Sequence, residues 1–331
     1  MKLWLLAWQR FRRDRVGMAS LVVVLVFLGV SIAAGAGWLV RDWSAESAVS
    51  YAPPTFLGPE SVSASQAAEQ ADPGSLDTYG IEDPLAADLA EIAARLSGAS
   101  PDQARATTLA LGADKWGRDV LKKVIKGTET SLLVGFAAAA LATLLGTLLG
   151  AQAGYYGGRI DAFLNWLYSV FTSIPYLLLV LAIAAVLNQK GTLTVVLILG
   201  LTGWTGIFRL IRAEYMKHKV REYVLAASAI GASDARRMLL HILPNVSHVV
   251  LVQLSLHTVL FIKSEVILSF LGFGVGVDTV SWGSMLSEAQ TELLLGKWWQ
   301  IASATLAMAL LVTAFSLFTD AMRDALDPRL R

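Results

Sequence analysis

Long apolar stretches separated by polar ones set the plan of this chain. Residues 16–40, 131–153, 163–187, 192–211, 246–271 and 299–318 are strongly apolar and carry few charges. About 20 helical residues cross the roughly 30 Å hydrocarbon core of a bilayer, so the pattern predicts six transmembrane helices. Residues 16–40 exceed the 7 to 15 apolar residues of a signal core. They are read as the first span rather than a cleaved leader.

The polar stretches orient the spans. Residues 1–17 combine Lys2, Arg10, Arg12, Arg13 and Arg15 with Trp4, Leu5, Trp8 and Phe11, a basic interfacial start that places the N-terminus in the cytoplasm. Acidic residues outnumber basic ones over residues 41–129, which reads as a water-facing insertion on the outer side. Within it, Leu85, Leu89, Ile92 and Leu96 follow Pro84 at helical spacing, and residues 100–103 form a capping box, so a small helical hairpin is expected. Residues 112–127 keep helical periodicity through Val120, Val124 and Ile125. They are expected to lie along the membrane surface with Lys122, Lys123 and Lys126 on solvated faces.

Inside the spans, Gly146, Gly150, Gly154 and Gly158 recur every four residues, a ladder that lets a second helix approach closely. The last two are expected to lie in the following loop. Pro175 is placed to kink the third span, with Ser173 available to satisfy freed backbone groups. The fifth span holds a polar stripe: Gln253 and His257 lie one turn apart, and Lys263 and Glu265 point to nearly opposite sides. Lys263 is expected to snorkel outward. Such groups face a partner helix or a water-filled path, and His257 fits either a helix-to-helix hydrogen bond or a proton relay. Gly272, Gly274 and Gly276 follow no strand and precede no GK[ST], so they are not a phosphate loop. An irregular stretch after a span fits a re-entrant or gate segment. Candidate pathway or gate residues are therefore Pro175, Gln253, His257, Glu265, Gly272, Gly274 and Trp282, with Trp298 and Trp299 at the outer interface.

The loop at residues 222–245 is polar and lies between apolar segments, with basic residues in excess around it, which puts it in the cytoplasm. Residues 223–230 read as a helix, Gly231 as a left-handed stop, and Ser233 as the cap of a second helix ending at Pro244. Composition narrows the chemistry. The chain of 331 residues is 55% hydrophobic and 16% charged with a net charge of +1, a membrane class without the basic surplus of a nucleic-acid binder. With no cysteine, disulfides, thiol catalysis and cysteine metal sites are excluded. His218, His241, His248 and His257 lack metal-binding spacing, and no Walker sequence, paired catalytic carboxylates or Ser-His-Asp arrangement occurs. The chain is not read as an enzyme.

The same loop resembles the cytoplasmic signature loop of bacterial ATP-binding-cassette (ABC) importer permeases, with Ala226, Ala227, Gly231, Leu243 and Pro244 in the matching positions. Leu225 and His241 stand where the broad family often has Glu and Ile. Both departures, with the EYV start and HILPN end, are similar to the C-type subunits of dipeptide, oligopeptide and nickel permeases. GADKWGRDVLKKVIKG, EVILSFLGFGV with SWGSML, and the terminal DALDPRLR resemble the same subgroup. The resemblance covers residues 1–45 and 110–331 and fails over 46–109.

The resemblance implies an all-α integral membrane protein of the type I ABC importer permease fold, with six transmembrane helices and both termini cytoplasmic. It divides the chain into residues 1–45 with the first span, an extracytoplasmic insertion at 46–111, and a permease core at 112–331 carrying a coupling loop at 215–245. Implied partners are a B-type permease subunit, two ABC ATPase subunits that bind ATP and Mg, an extracytoplasmic substrate-binding protein and the lipid of a bacterial inner membrane, with no cofactor in this chain and no nucleic acid. Glu222, Tyr223, Ala226, Ala227, Ala229, Gly231, Arg236 and Arg237 would meet the ATPase. Di- or oligopeptides are the expected substrates, with nickel chelates, glutathione-like peptides and peptide antibiotics as other classes. A proton-driven carrier using His257 and Glu265, and a membrane scaffold, are the readings from other classes.

Overall fold

The computed structural model describes residues 8–59, 105–276 and 278–326. The expectations for Lys2, Trp4 and Leu5, for the hairpin around residues 84–103, and for the last five residues lie outside them. Among the described residues the protein is helical, with only isolated β-bridges. By length and composition, four helices can cross a membrane, or up to six spans if each of two bent helix pairs counts as one.

Helix α1 (Arg15–Gly35) starts where the Asp14 side chain accepts from the Val16 N–H, and it stops five residues short of the expected end. Gly17 lets it lie against the last helix, because a Cβ there would sit 2.6 Å from the Ala321 Cβ. Helix α2 (Val120–Tyr156) runs 37 residues, roughly 55 Å at 1.5 Å per residue. That length corrects one expectation. Residues 120–127 are not a separate surface helix but the first turns of a helix that continues through the second expected span.

Two expected spans are broken. Helices α3 (Gly158–Thr172) and α4 (Tyr176–Leu187) meet at 82° rather than forming one kinked helix. Pro175 has no N–H to offer and takes an extended conformation, while the Ser173 hydroxyl donates to Val170 O at 2.7 Å. Helices α5 (Thr192–Thr202) and α6 (Thr205–Lys219) meet at 41°. Gly203 at that break is needed for packing, since a Cβ would lie 2.3 Å from the Phe261 ring.

Helix α7 (Glu222–Ala229) leads through Gly231 into α8 (Asp234–Phe270), whose residues 237–242 form a π-helical turn. The second helix of the loop was expected to end at Pro244. Instead it continues into the fifth span, because the wider turn, with the Leu243 N–H bonded to Met238 O, absorbs the residue that lacks a donor. Helices α9 (Trp282–Leu294) and α10 (Trp299–Leu326) complete the chain.

In lipid, helices associate through close packing rather than expulsion of water. The glycine ladder supplies that packing: Cβ atoms at Gly146, Gly150 and Gly154 would lie 2.5–2.8 Å from backbone or Cβ atoms of Trp204, Phe208, Arg212, Ile207 and Tyr215 around α6. Gly154 therefore belongs to α2, not to a loop, and Gly158 opens α3. One core joins α2, α4, α5, α6 and α8 around Val134, Leu199, Ile207 and Phe261, and a second joins α1, α2, α8, α9 and α10 around Trp282, Ile262 and Leu311.

Residues 46–59 and 105–119 form a small platform. Bridges pair Glu46 with Arg118, Ala48 with Ala106, and Pro54 with Leu109, over buried Ala48, Ala52 and Ala113. Gly117 at φ +78 is required there, since a Cβ would fall 2.0 Å from Ala48 O. Trp299 is buried rather than interfacial, donating its indole N–H to Ala113 O at 2.8 Å, while Trp298 stays half-exposed beside Phe56.

Candidate coupling element and outer gate

Three features bear on function: the α7–α8 corner, the joint where residues 271–282 meet α2 and α8, and a buried ionic cluster above that joint.

The corner is a rigid bracket. Helix α7 ends with the Ala232 N–H bonded to Ala227 O and the Gly231 N–H to Ser228 O, a closure that needs the left-handed φ of +84 at Gly231. Ser233 then caps α8 through the Arg236 N–H at 3.4 Å. Arg237 ties the two arms together, donating to the Ser228 hydroxyl at 2.9 Å and to Asp234, and lying over the Tyr155 ring. Tyr155 donates to Asp234 at 2.9 Å and Tyr215 to Met238 O at 3.2 Å, so the corner is bolted to α2 and α6.

The expected contact residues divide between two faces. Glu222, Tyr223, Ala226, Ala229, Gly231 and Arg236 are exposed, whereas Ala227 is buried against the chain's own core and Arg237 is held in the bracket. The Tyr223 hydroxyl pairs with His218 Nδ1 at 2.8 Å. Around the exposed set stand Leu225, Ile230, Leu239 and Leu240, all more than half exposed. None of these four is among the residues expected from the sequence to meet the ATPase.

At the other end of α8, Glu265 is fully buried and organises the joint. Its two oxygens accept from Ser131 Oγ of α2 at 2.9 Å and Ser269 Oγ at 2.7 Å. Ser131 Oγ in turn accepts from the Trp282 N–H at 3.3 Å, and Ser269 Oγ from the Val275 N–H at 3.4 Å. Trp282 is buried and donates its indole N–H to Val124 O at 3.1 Å. Gly274 sits so close that a Cβ would overlap Ser269 Oγ at 1.8 Å, and Gly272 turns the chain at φ +86 with open space beside it. Glu265, Gly274 and Trp282 thus meet in one closed latch. Lys263 points out, as expected of a residue on the opposite side.

The remaining pathway candidates lie apart from that latch. His257 bonds Gln253 O through Nδ1 at 2.9 Å and packs on Phe261, sharing no hydrogen-bond partner with Glu265. Gln253 lines a cavity of about 690 Å³ near the α7 corner, with Glu214, Arg221, His248 and Arg323 among its walls. Pro175 stands at the α3–α4 break.

The sequence reading overlooked the third feature. Lys123 is buried, not solvated, and its ammonium meets Asp114 at 2.8 Å, Glu288 at 2.6 Å and Gln300 at 3.1 Å. Arg118 adds a 2.7 Å pair to Asp114. Burial acts against the Asp114 carboxylate, but Lys123 and Arg118 outweigh it and hold its pKa below the usual value. Glu292, on the same face of α9, has the opposite balance: burial pushes it up to about 7 despite Lys123. The signal was present as pairs four residues apart, the acid–base pair Asp114 with Arg118 and the acidic pair Glu288 with Glu292.

Residues 142–331 match the family described as the binding-protein-dependent transport system inner membrane component, and residues 2–54 match the N-terminal transmembrane domain of oligopeptide transport permease C. The dipeptide transport system permease protein of Bacillus subtilis (strain 168) is 32% identical over 98% of this chain and 85% of its own length. The oligopeptide transport system permease protein of the same strain is 34% identical over 66% of this chain and 72% of its own. A solved chain from inward-facing conformations of the MetNI methionine ABC transporter superposes with a TM-score of 0.48 at 13% identity, covering 62% of this chain and 96% of that one. With the family match spanning more than half of its length, the chain belongs to the binding-protein-dependent transport system inner membrane components, as a C-type permease of ABC importers.

Proposed function

We propose that this permease forms one half of a peptide-translocating pathway in a bacterial inner membrane, with its N- and C-termini in the cytoplasm. Its partners in this reading are a B-type permease, two ATPase subunits that hold ATP and Mg, and an external binding protein that delivers di- or oligopeptides. The relatives named for dipeptide and oligopeptide transport support that substrate class.

The observation that carries the reading is the α7–α8 bracket. It presents Leu225, Ile230, Leu239 and Leu240 outward while Tyr155, Asp234 and Arg237 fix it to α2 and to the helix that continues into the fifth span. A push on such a corner moves α8 as a body, and the far end of α8 carries the Glu265 latch. ATPase closure at one membrane face would thus reach the outer gate at residues 271–282. A proton-driven carrier is disfavoured, because His257 and Glu265 spend their hydrogen bonds on separate local partners.

A single cysteine tests the contact, since the chain has none of its own. Ile230→Cys, at a position 87% exposed, is expected to cross-link to a cysteine in the ATPase groove within the assembled transporter. Cross-linking that fails there but succeeds from the opposite face of the membrane would overturn the orientation and the coupling role together.

A further inference from the structure

Among the described residues, carboxylates outnumber cations inside the joint that holds α9 to the platform and to the outer end of α2. Asp114 from the platform and Glu288 and Glu292 from α9 face Arg118 from the platform and Lys123 from α2. Helix α10 contributes neutral Gln300, which accepts from Lys123 and donates to Met285 O at 3.2 Å. Lys115 lies over the Trp116 ring at 3.9 Å and Lys297 over Trp299 at 5.5 Å; the cation acting on the Glu292 carboxyl is Lys123. Two cations can balance two carboxylates. Glu292 is the one left over.

Its geometry agrees. Glu292 is 1% exposed; one oxygen accepts from the Lys115 N–H at 3.3 Å, and the other is buried with no hydrogen-bond partner. An ionised carboxylate with an unsatisfied buried oxygen is costly, while a neutral acid removes the surplus charge. We propose that Glu292 is a positioning residue of the outer gate, holding a proton while α9 is docked on the platform and releasing it to external water when the joint opens. This rests on the reading of residues 271–282 and α9 as that gate.

The direction with pH follows from the shift. A pKa raised from 4.5 to about 7 by burial means that the docked state binds a proton the opened state has lost. Docking is then firmest below about pH 4.5, weakens by up to about tenfold per pH unit as pH rises towards 7, and is flat above it. Asp114 shifts the other way, so its contribution is lost only in acid below this window.

The test uses the assembled transporter in nanodiscs with spin labels at Val49→Cys on the platform and Gln290→Cys on α9, both exposed positions. The distance distribution between them is expected to broaden from pH 5 to pH 7 and then to level off. Glu292→Gln should stay narrow throughout, and Glu292→Asp should keep a pH response. The same response in Glu292→Gln as in the parent, or none in the parent, overturns the assignment. A response in distance with uptake insensitive to external pH would instead overturn the gate reading, since the proton would then act on a joint that transport does not use.

Discussion

At the scale of single residues, buried polar side chains carry most of the specific information. Lys123 holds two carboxylates from different elements, so Lys123→Met would leave Asp114 and Glu288 with Arg118 alone, at 2.7 Å and 3.8 Å. Breaking a buried pair in this way costs about 3–5 kcal/mol. The expected outcome is a lowered melting temperature of the purified protein and early proteolysis of α9; an unchanged melting curve would show that the cluster is not structural. Glu265→Ala removes the acceptor for two serine hydroxyls at a cost of about 1–3 kcal/mol. Amide exchange at Val275 and Trp282 should accelerate, while exchange in α5 and α6 should not.

These residues also mark where the sequence was opaque. A lysine one turn into an amphipathic stretch, beside Lys122 and Lys126, looks like part of a solvated face. Only the fold of residues 112–119 over the head of α2 reveals that Lys123 points inward, and that arrangement depends on Gly112 and Gly117 at positive φ. Glu265 was legible as a polar residue in a span, but one of its serine partners, Ser131, lies 134 residues away in sequence.

At the scale of elements, helices lie at every apolar stretch the pattern marked, and errors came at the breaks. Hydropathy integrates over about 20 residues and is blind to a turn of 82° within such a window. Pro175 gave a local warning, since a proline removes a donor, but whether it kinks or breaks a helix depends on what surrounds it. Pro244 shows the converse, where a π turn keeps the helix continuous. The glycine ladder was legible as a close-packing surface, though its partner α6 was not. Gly150→Val tests that contact: a Cβ there would lie 2.7 Å from Phe208 O, a backbone atom that cannot rotate away. We expect a loss of about 1–3 kcal/mol or more as α2 and α6 separate, read as a lower melting temperature in detergent. Gly206→Ala, with its nearest neighbour 3.9 Å away, should be neutral by the same assay.

At the scale of the whole molecule, the proposed coupling makes α8 a lever between the α7–α8 corner and the Glu265 latch. Helix α8 connects them without interruption from Asp234 to Phe270. Helices α3 and α4 leave Trp166, Leu178 and Val186 well exposed, a face consistent with cover by lipid or by a second permease. The signature loop made the corner end of α8 legible from the sequence. The far end was not, because it is assembled from residues 46–59, 105–119 and α9, which no local pattern links.

The central claim is that the α7–α8 corner transmits ATPase motion to the gate. Gly231 isolates it, because its φ is +84 and no atom lies within 4 Å of an added Cβ, so Gly231→Val acts on the backbone alone. The left-handed conformation then costs about 1–2 kcal/mol. The decisive measurement is ATP hydrolysis and peptide uptake recorded together in proteoliposomes carrying the full transporter. The account predicts that Gly231→Val keeps the assembly and retains hydrolysis while uptake per ATP falls severalfold. Uptake per ATP equal to that of the parent would contradict it.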